Sequence, residues 1–213
     1  VTGAYYLALA YKSLDNGDKI VPNDFYLCND ERIFILTGPN QGGKTTFARS
    51  FGQIFYLACL GCPVPCRTAE LFIVDRIFTH FAQEENLSLN AGRLQEDLMR
   101  MKGIMDCATG NSLIIVNELF SSTTSHDANV MGKRILEYFT SLDCIVLYVT
   151  HIYELSDINK KAVSLTAAVD LSASRADRTY KIIRRPADGF AYANSIAEKY
   201  HLTYSEIKER IRV

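Results

Sequence analysis

The chain has 213 residues, of which 48% are hydrophobic and 22% are charged, and its formal net charge is −1. These values are typical of one large folded domain, or of one domain with a small appendage, and they exclude a low-complexity chain. They also exclude a basic DNA-binding surface spread over the whole chain, and no apolar run approaches the about 20 residues of a membrane-spanning helix.

Apolar runs of strand length alternate with segments of helical spacing along the chain. The strand-like runs are 32–37, 71–81, 113–116, 144–149, 163–171 and 179–185. The helical segments are 44–60, 93–108, 128–139 and 195–211. Strands separated by helix-length segments favour a sheet with helices on both faces, so the sequence predicts an α/β fold. The last two strand-like runs are interpreted as an antiparallel pair.

The stretch GPNQGGKT, residues 38–45, matches the phosphate-loop pattern G-x-x-x-x-G-K-[ST] in full. It follows a predicted strand and begins a predicted helix, which is the context that separates the motif from a chance match. In such loops glycines let backbone N–H groups approach phosphate oxygens, and the helix N-terminus adds positive charge. The predicted nucleotide-binding residues are Gly38, Pro39, Asn40, Gln41, Gly42, Gly43, Lys44, Thr45 and Thr46.

Two side chains of this loop have specific expected roles. We expect Lys44 to reach the β- and γ-phosphates of ATP, and we expect the Thr45 hydroxyl to coordinate Mg²⁺. The alternative interpretation is a glycine-rich turn with an exposed lysine. That alternative gives no reason for a Lys-Thr pair directly at the start of a helix.

Asn117 and Glu118 directly follow the apolar run LIIV at 113–116. In phosphate-loop enzymes the first of these positions usually holds an aspartate close to Mg²⁺. Asn117 is neutral, so it can orient a metal-bound water but adds no charge. Glu118 can polarise the attacking water as a general base. The alternative is a strand that ends in Asn-Glu by chance.

Thr150 and His151 follow the apolar run CIVLYV at 144–149. The carboxyl ends of neighbouring parallel strands form a crevice in which such sheets bind ligands. We therefore expect His151 to lie in the same crevice as the phosphate loop and to sense the γ-phosphate. On this residue alone, a histidine that only supports the fold is the alternative.

The six cysteines include Cys59, Cys62 and Cys66, which form a C-x2-C-x3-C cluster. A zinc site needs a fourth ligand, and no nearby His or Cys supplies one. Reduced, mostly buried cysteines in a cytoplasmic protein are the preferred interpretation. The first residues, VTGAYYLALAYK, lack the basic region of a signal peptide, which agrees with the expected cytoplasmic location.

Together, these motifs and their surroundings resemble the ATPase domain of the MutS mismatch-repair family. The loop TGPNQGGKTT is similar to the phosphate loop of that family and includes the unusual pair Pro39-Asn40. Further similar stretches are VPND at 21–24, VPCRTAELFIVDRIFTHF at 64–81, NELFSSTTSHDA at 117–128, YVTHIYEL at 148–155 and FAYANSIAEKYHLTYSEIKERI at 190–211. The resemblance covers nearly the whole chain from Ile20 onward.

The resemblance implies an ABC-type P-loop NTPase fold, with a mixed sheet flanked by helices. It implies a lead-in segment at 1–19, the ATPase domain at 20–194 and a C-terminal helical extension at 195–213. Such domains form a homodimer, and each ATP lies with Mg²⁺ between the phosphate loop of one subunit and a signature segment of the other. Exchange and hydrolysis of ATP switch DNA-binding domains that are missing from this chain, and no membrane takes part.

The same resemblance assigns roles residue by residue. Lys44 and Thr45 take the phosphate and Mg²⁺ roles, and Asn40 lines the γ-phosphate side. Glu118 is the catalytic base and His151 is the switch. The residues expected to face the partner subunit are Thr123, Thr124, Ser125 and Asp127.

The chain departs from the family pattern at four places. The usual aspartate before the catalytic base is Asn117, which is expected to contact Mg²⁺ through water. Leu94 replaces the partner-facing serine of the signature, and Ile20 replaces the aromatic residue that packs on adenine. The glycine-rich positions after the base are replaced by Phe120, Ser121 and Ser122.

These departures leave a second function open. A regulatory module outside mismatch repair could bind ATP without hydrolysis, or with very slow hydrolysis, whereas the retained Glu118 favours a working ATPase. A P-loop kinase or GTPase is disfavoured. A GTPase reads its base with an Asn-Lys-x-Asp loop, and residues 158–161 lack the required spacing.

Overall fold

The computed structural model describes residues 1–17, 19–81, 92–170, 177–187 and 202–211. Its helices are α1 (Leu7–Asn16), α2 (Lys44–Cys59), α3 (Arg93–Cys107), α4 (Ser125–Leu142) and α5 (Tyr204–Ile211), and a short 3₁₀ helix spans Tyr153–Asp157. Its strands are β1 (Ile33–Thr37), β2 (Ile77–His80), β3 (Leu113–Asn117), β4 (Ile145–Val149), β5 (Ala162–Asp170) and β6 (Asp177–Arg184). None of the helices in these ranges is long and apolar enough to cross a membrane.

The six described strands form one sheet in the order β2-β3-β4-β1-β5-β6. Strands β2, β3, β4, β1 and β5 pair in parallel, and β6 returns antiparallel to β5. The predicted α/β fold and the predicted antiparallel pair are therefore confirmed. Because β4 lies between β1 and β3, the carboxyl ends of these three strands meet at one edge of the sheet.

Helices cover both faces of the sheet, which explains the continuous apolar runs of its central strands. All five residues of β1, of β3 and of β4 are buried, as expected for strands that are packed on both sides. α2 packs on the face that carries Phe34 and Leu36. α3 and α4 pack on the opposite face, which carries Ile33 and Ile35. The strand before the phosphate loop is thus held between two hydrophobic clusters.

Two element boundaries differ from the sequence predictions for local reasons. The strand predicted at 71–81 is reduced to β2, Ile77–His80. Just before β2, the Asp75 carboxylate accepts a hydrogen bond from the Thr109 hydroxyl in the turn before β3. The helix predicted at 128–139 is longer in the structure. Thr124 caps it, so that α4 begins at Ser125.

The sequence analysis does not predict α1, because it treats residues 1–19 as a lead-in segment. The helical sequence LALAYKSLDN is rich in good helix formers, and Gly17 ends it in a left-handed conformation with φ 71°. Backbone hydrogen bonds between Ala4 and Asn23 tie the segment to the rest of the fold. The N-terminal residues therefore pack with the sheet domain.

Two sequence predictions lie partly outside the described residues. The helix predicted at 195–211 is described only as α5, which begins at Tyr204. The stretch that matches the family signature is described only from Gly92, just before α3. The helix prediction is therefore confirmed for Tyr204–Ile211, and the signature match stays a prediction.

Candidate active site

Three loops meet at the edge of the sheet where β1, β4 and β3 end. The phosphate loop follows β1, His151 follows β4, and the end of β3 carries Asn117 and then Glu118. The Thr45 hydroxyl donates a hydrogen bond to Asn117 Oδ1 at 3.2 Å. His151 Nε2 lies 3.0 Å from Glu118 Oε1. The structure thus brings together the residues that the sequence analysis assigns to phosphate, metal and proton chemistry.

The phosphate loop has backbone conformations that favour glycine. Gly38 and Gly43 have φ angles of 121° and 89°, which residues with a Cβ atom rarely adopt. A Cβ atom at Gly38 would lie 2.9 Å from the Cβ atom of Ala167 on β5, and one at Gly42 would lie 3.0 Å from it. The glycines are therefore required both for the shape of the loop and for its packing on β5.

The loop leads directly into α2, which begins at Lys44. Gly43 precedes the helix in a left-handed conformation, and no side chain caps the helix. The first N–H groups of a helix have no acceptor within the helix, and an anion is a favoured partner for them. The start of α2 is therefore suited to bind a phosphate group.

Lys44 lies folded over its own loop. The residue is 4% exposed, and its Nζ atom donates hydrogen bonds to the carbonyl oxygens of Gly38 and Pro39 at 2.9 Å and 3.1 Å. Burial lowers the pKa of Lys44; the Glu118 carboxylate opposes this shift, and the charge of Arg178 adds to it. The two carbonyl oxygens occupy positions that phosphate oxygens can take over as acceptors.

Thr45 and Asn117 supply oxygen atoms of the kind that Mg²⁺ prefers. Mg²⁺ keeps several waters and is usually held by one or two protein groups together with substrate phosphates. The Thr45 hydroxyl and the Asn117 amide oxygen fit this demand, and both are neutral. In the described ranges no group of three or more His, Cys, Asp or Glu side chains is placed to hold a metal ion.

Glu118 and His151 form the more exposed pair of the site. The backbone N–H of Glu118 donates to the carbonyl oxygen of Val149 at 2.9 Å, which fixes Glu118 beside the end of β4. The hydrogen bond from His151 lowers the pKa of Glu118; burial opposes this shift, and the charges of His151 and Lys44 add to it. Glu118 is therefore a carboxylate at neutral pH.

The segment after Glu118 is anchored by a core side chain where the family pattern has glycines. Phe120 has a left-handed backbone with φ 62°, and its side chain is 1% exposed in the hydrophobic cluster under α3 and α4. Thr124 Oγ1 accepts a hydrogen bond from the Asp127 N–H at 3.2 Å and donates one to Asp127 Oδ2 at 2.9 Å. Ser121, Ser122 and Ser125 are exposed, and Thr123 is half-buried.

Leu94 lies in the first turn of α3 and packs against the same hydrophobic cluster. A serine at this position, as in the family signature, would offer a hydroxyl group, whereas Leu94 contributes to the core of its own chain. The replacement is therefore used for packing.

A cleft of about 640 Å³ adjoins the phosphate loop, a volume within the usual range for small-molecule sites. One end is lined by residues 40–47 and Glu118. Further lining comes from Tyr180 of β6, which lies against Gly43 of the loop, and from Ile20 and residues of the N-terminal segment, 4–13. The sequence analysis does not predict that the N-terminal segment lines the cleft, because this depends on its pairing with distant residues. The adjacent Tyr5 and Tyr6, just before the LALAYKSLDN stretch, are the sequence feature that could have indicated it.

Comparisons with known proteins give one consistent result. The family profile described as MutS domain V matches residues 34–204. The DNA mismatch repair protein MutS of Orientia tsutsugamushi (strain Boryong) is 32% identical over 185 residues, which cover 85% of this chain and 21% of that protein. The DNA mismatch repair protein MutS of Chlorobium phaeovibrioides (strain DSM 265 / 1930) is 31% identical over 199 residues, which cover 92% of this chain and 22% of that protein. The chain thus spans about a fifth of the length of these curated relatives.

Proposed function

The chain belongs to the MutS family, and from this premise we propose that it binds and hydrolyses ATP as the motor domain of a DNA mismatch-repair protein. The observation that carries the proposal is the pairing of Thr45 with Asn117, and of His151 with Glu118, around the phosphate loop. Metal-assisted transfer of a phosphoryl group to water needs a hydroxyl ligand for Mg²⁺, which Thr45 supplies, and a group that positions the attacking water, which Glu118 supplies. The two MutS relatives are DNA mismatch repair proteins, which supports the assignment to repair.

We propose an ABC-type P-loop fold for the ATPase domain, at 20–194. The strand order supports this proposal, because β4 separates the phosphate-loop strand from the strand that carries Glu118. The proposed lead-in segment at 1–19 packs with the domain through the pairing of Ala4 with Asn23. Residues 195–213 are proposed as a helical extension that includes α5.

The phosphate chain of ATP is proposed to lie along the loop from Gly38 to Thr46. Backbone N–H groups of the loop and of the first turn of α2 donate to the phosphate oxygens. Lys44 Nζ exchanges its two carbonyl acceptors for oxygens of the β- and γ-phosphates. Thr45 would hold Mg²⁺ directly and Asn117 would hold it through a water, and the metal would supply positive charge to the phosphates.

Glu118 is proposed to act as the general base. Its lowered pKa keeps the carboxylate ionised at neutral pH, so that it can accept the proton of the attacking water. His151 Nε2 holds the carboxylate in place at 3.0 Å. A base with a lowered pKa is a weaker proton acceptor. The hydrogen bond from His151 therefore weakens Glu118 as a base, and it fixes the position and the charge of the carboxylate.

The proposal includes a homodimer in which each ATP, or ADP after hydrolysis, lies between two subunits. The side chains at 121, 122 and 124–127 are exposed and follow Glu118 closely in the chain, so they are open to such a partner. DNA is proposed to bind through parts of the protein outside this chain, since the net charge of −1 provides no general attraction to DNA. The matched region is 21% of the length of the Orientia tsutsugamushi relative, a DNA mismatch repair protein.

A second candidate function is nucleotide binding with little or no hydrolysis, in a regulatory module outside mismatch repair. Asn117 favours it, because a neutral amide contributes no charge to the binding of Mg²⁺. Leu94 also favours it, because the signature position lacks the hydroxyl that the family uses across the dimer. In this alternative, bound ATP holds two subunits together as a dimer, and no hydrolysis of ATP is needed.

Release of phosphate from ATP by the 213-residue chain, with and without Mg²⁺, separates these two functions. The proposed ATPase is expected to show Mg²⁺-dependent release that Lys44→Ala abolishes. A chain that binds ATP but releases phosphate no faster than Lys44→Ala would reject the motor and leave the binding module. A chain that binds no ATP would reject both.

A further inference from the structure

Part of the cleft lining comes from a segment that lies outside the MutS domain V match. That match begins at residue 34, whereas Tyr5, Tyr6 and Leu9 line the cleft together with the phosphate loop. Tyr6 immediately precedes α1, and Leu9 lies in its first turn. The wall that they form is therefore a property of this chain that the family match does not cover.

The wall is held in place by backbone hydrogen bonds on both sides of Tyr6. The Tyr5 N–H donates to the carbonyl oxygen of Pro65 at 3.0 Å. The Leu7 N–H donates to Gln53 Oε1 at 3.0 Å. Gln53 belongs to α2, the helix whose first turn carries Lys44 and Thr45. The wall and the phosphate-binding end of the cleft are thus attached to the same helix.

The cleft gives a nucleotide two different environments. The glycine-rich loop and the start of α2 fix its phosphates at one end, so the sugar and the base must extend along the rest of the cleft. Beyond the loop the chain offers the rings of Tyr5 and Tyr6 and the aliphatic side chain of Ile20, whereas the ring of Tyr180 lies against Gly43 of the loop itself. Nucleobases stack favourably on aromatic rings, whereas an aliphatic side chain has no aromatic face to offer.

We propose that Tyr5 and Tyr6 form the wall on which the base of the bound nucleotide stacks, so that the N-terminal segment is part of the nucleotide site. This inference rests on the proposed ATP site and adds its recognition element. A purine nucleotide is the preferred ligand class, because a purine has a larger face for stacking than a pyrimidine. The aromatic contact that is missing at Ile20 is then supplied from a different part of the sequence.

The test compares Tyr5→Ala and Tyr6→Ala with Tyr11→Ala. Tyr11 is on α1 but is 72% exposed, so it is the matched control. Binding of a non-hydrolysable ATP analogue and of inorganic tripolyphosphate is measured by calorimetry with Mg²⁺, and thermal melting confirms that each variant folds. Tyr6→Phe keeps the ring and removes only the hydroxyl group.

Each of the two alanine variants is expected to weaken binding of the ATP analogue by at least about fivefold. Binding of tripolyphosphate should stay unchanged, since tripolyphosphate has no base, and Tyr6→Phe and Tyr11→Ala should bind like the unaltered chain. The inference is overturned if the alanine variants bind the ATP analogue within about twofold of the unaltered chain. It is also overturned if they lose tripolyphosphate equally, or if Tyr11→Ala has the same effect.

Lys44→Ala distinguishes this inference from the function on which it rests. That variant is expected to lose both ligands, because it lacks the cation of the phosphate loop. An unaltered chain that binds neither ligand would overturn the ATP site and the inference together. An unaltered chain that binds ATP, with alanine variants that bind it equally well, would overturn the inference alone.

Discussion

Two histidine–carboxylate pairs in the described part of the chain have the same 3.0 Å separation and opposite surroundings. The side chains of His151 and Glu118 are 46% and 33% exposed, whereas those of His80 and Asp97 are 2% and 12% exposed. Both histidines stand at the carboxyl ends of parallel strands, His80 at the end of β2 and His151 just after β4. Each pair joins an imidazole to a carboxylate, and the two pairs differ in burial and in hydrogen bonding.

A different member of each pair has a shifted pKa, and the cause of the shift differs as well. In the exposed pair, the hydrogen bond from His151 lowers the pKa of Glu118 and keeps its carboxylate ionised. In the buried pair, burial lowers the pKa of His80; the charge of Asp97 opposes this shift, and Arg100 adds to it. Neither ring nitrogen of His80 has a hydrogen bond of good geometry within the described residues. The exposed pair is therefore available for proton chemistry, and the buried pair serves to join β2 to α3.

Glu118→Gln should produce the largest effect and should confine it to catalysis. The amide keeps the shape of the side chain but cannot accept the proton of the attacking water, so turnover is expected to fall by about a hundredfold or more. ATP binding should remain. Steady-state phosphate release and nucleotide titration measure the two quantities, with Glu154→Gln on the exposed 3₁₀ helix as control. Equal turnover in both variants would contradict the role of Glu118.

Asp97→Ala should affect stability instead of chemistry. The variant leaves His80 buried beside an empty position, and the expected loss is about 2 kcal/mol of the free energy of unfolding. Urea unfolding measures it. The matched control is Asp106→Ala on the same helix, because Asp106 pairs with Lys102 in solvent and should matter far less. If the two variants unfold at the same urea concentration, the buried pair has no structural role.

Asn117→Asp tests how much the missing negative charge at position 117 weakens the binding of Mg²⁺. The aspartate places a negative charge beside Thr45, and it should raise the affinity for Mg²⁺ in the presence of ATP by about tenfold, which corresponds to about 1.4 kcal/mol. Titration of phosphate release with Mg²⁺ gives this affinity. An unchanged Mg²⁺ requirement would show that Asn117 does not act on the metal.

The smallest expected effect is on the pH dependence of the free energy of unfolding, to which the two pairs contribute in different pH ranges. A lowered pKa of His80 means that the unfolded chain binds a proton first, so stability is complete above the ordinary histidine pKa of about 6.5 and falls as pH drops below it. The lowered pKa of Glu118 acts at lower pH, since its contribution is complete above about 4.3 and is lost as pH falls through the folded value.

Urea unfolding between pH 7 and pH 5 checks the histidine part of this prediction. His80→Gln should remove part of the slope, and His126→Gln, at an exposed position of α4, should leave it in place. Equal slopes for the unaltered chain and His80→Gln would assign the pH dependence to other groups.

The phosphate-binding part of the site could be predicted from sequence because its requirements are local. Gly38 needs a positive φ in the turn directly after a strand, and Lys44 needs to follow the loop at the start of a helix. The approach of His151 to Glu118 could also be predicted, since the ends of parallel strands share one edge. Each of these inferences uses only neighbouring residues or one rule of sheet topology.

Other features could not be predicted because they depend on distant contacts. Tyr6 is held at the cleft by the attachment of its neighbours to distant residues, among them Asn23, Pro65 and Gln53. Phe120 shows a related limit. Its left-handed backbone is unfavourable for a residue with a Cβ atom by roughly 1–2 kcal/mol, and burial of its ring in the core offsets that cost. The sequence alone shows that Phe120 stands where the family pattern has a glycine. It does not show that the buried ring of Phe120 stabilises the left-handed backbone.

The place of β4 in the sheet also bears on how such a site can evolve. Neighbouring strands lie about 4.8 Å apart, and backbone hydrogen bonds on both sides of β4 hold the three loops at fixed spacings. An exchange of Asp for Asn at position 117 therefore alters the charge of the site while the spacing stays the same. If the proposed role of Asn117 holds, single substitutions at this position change the rate of the ATPase while the sheet that carries the site stays intact.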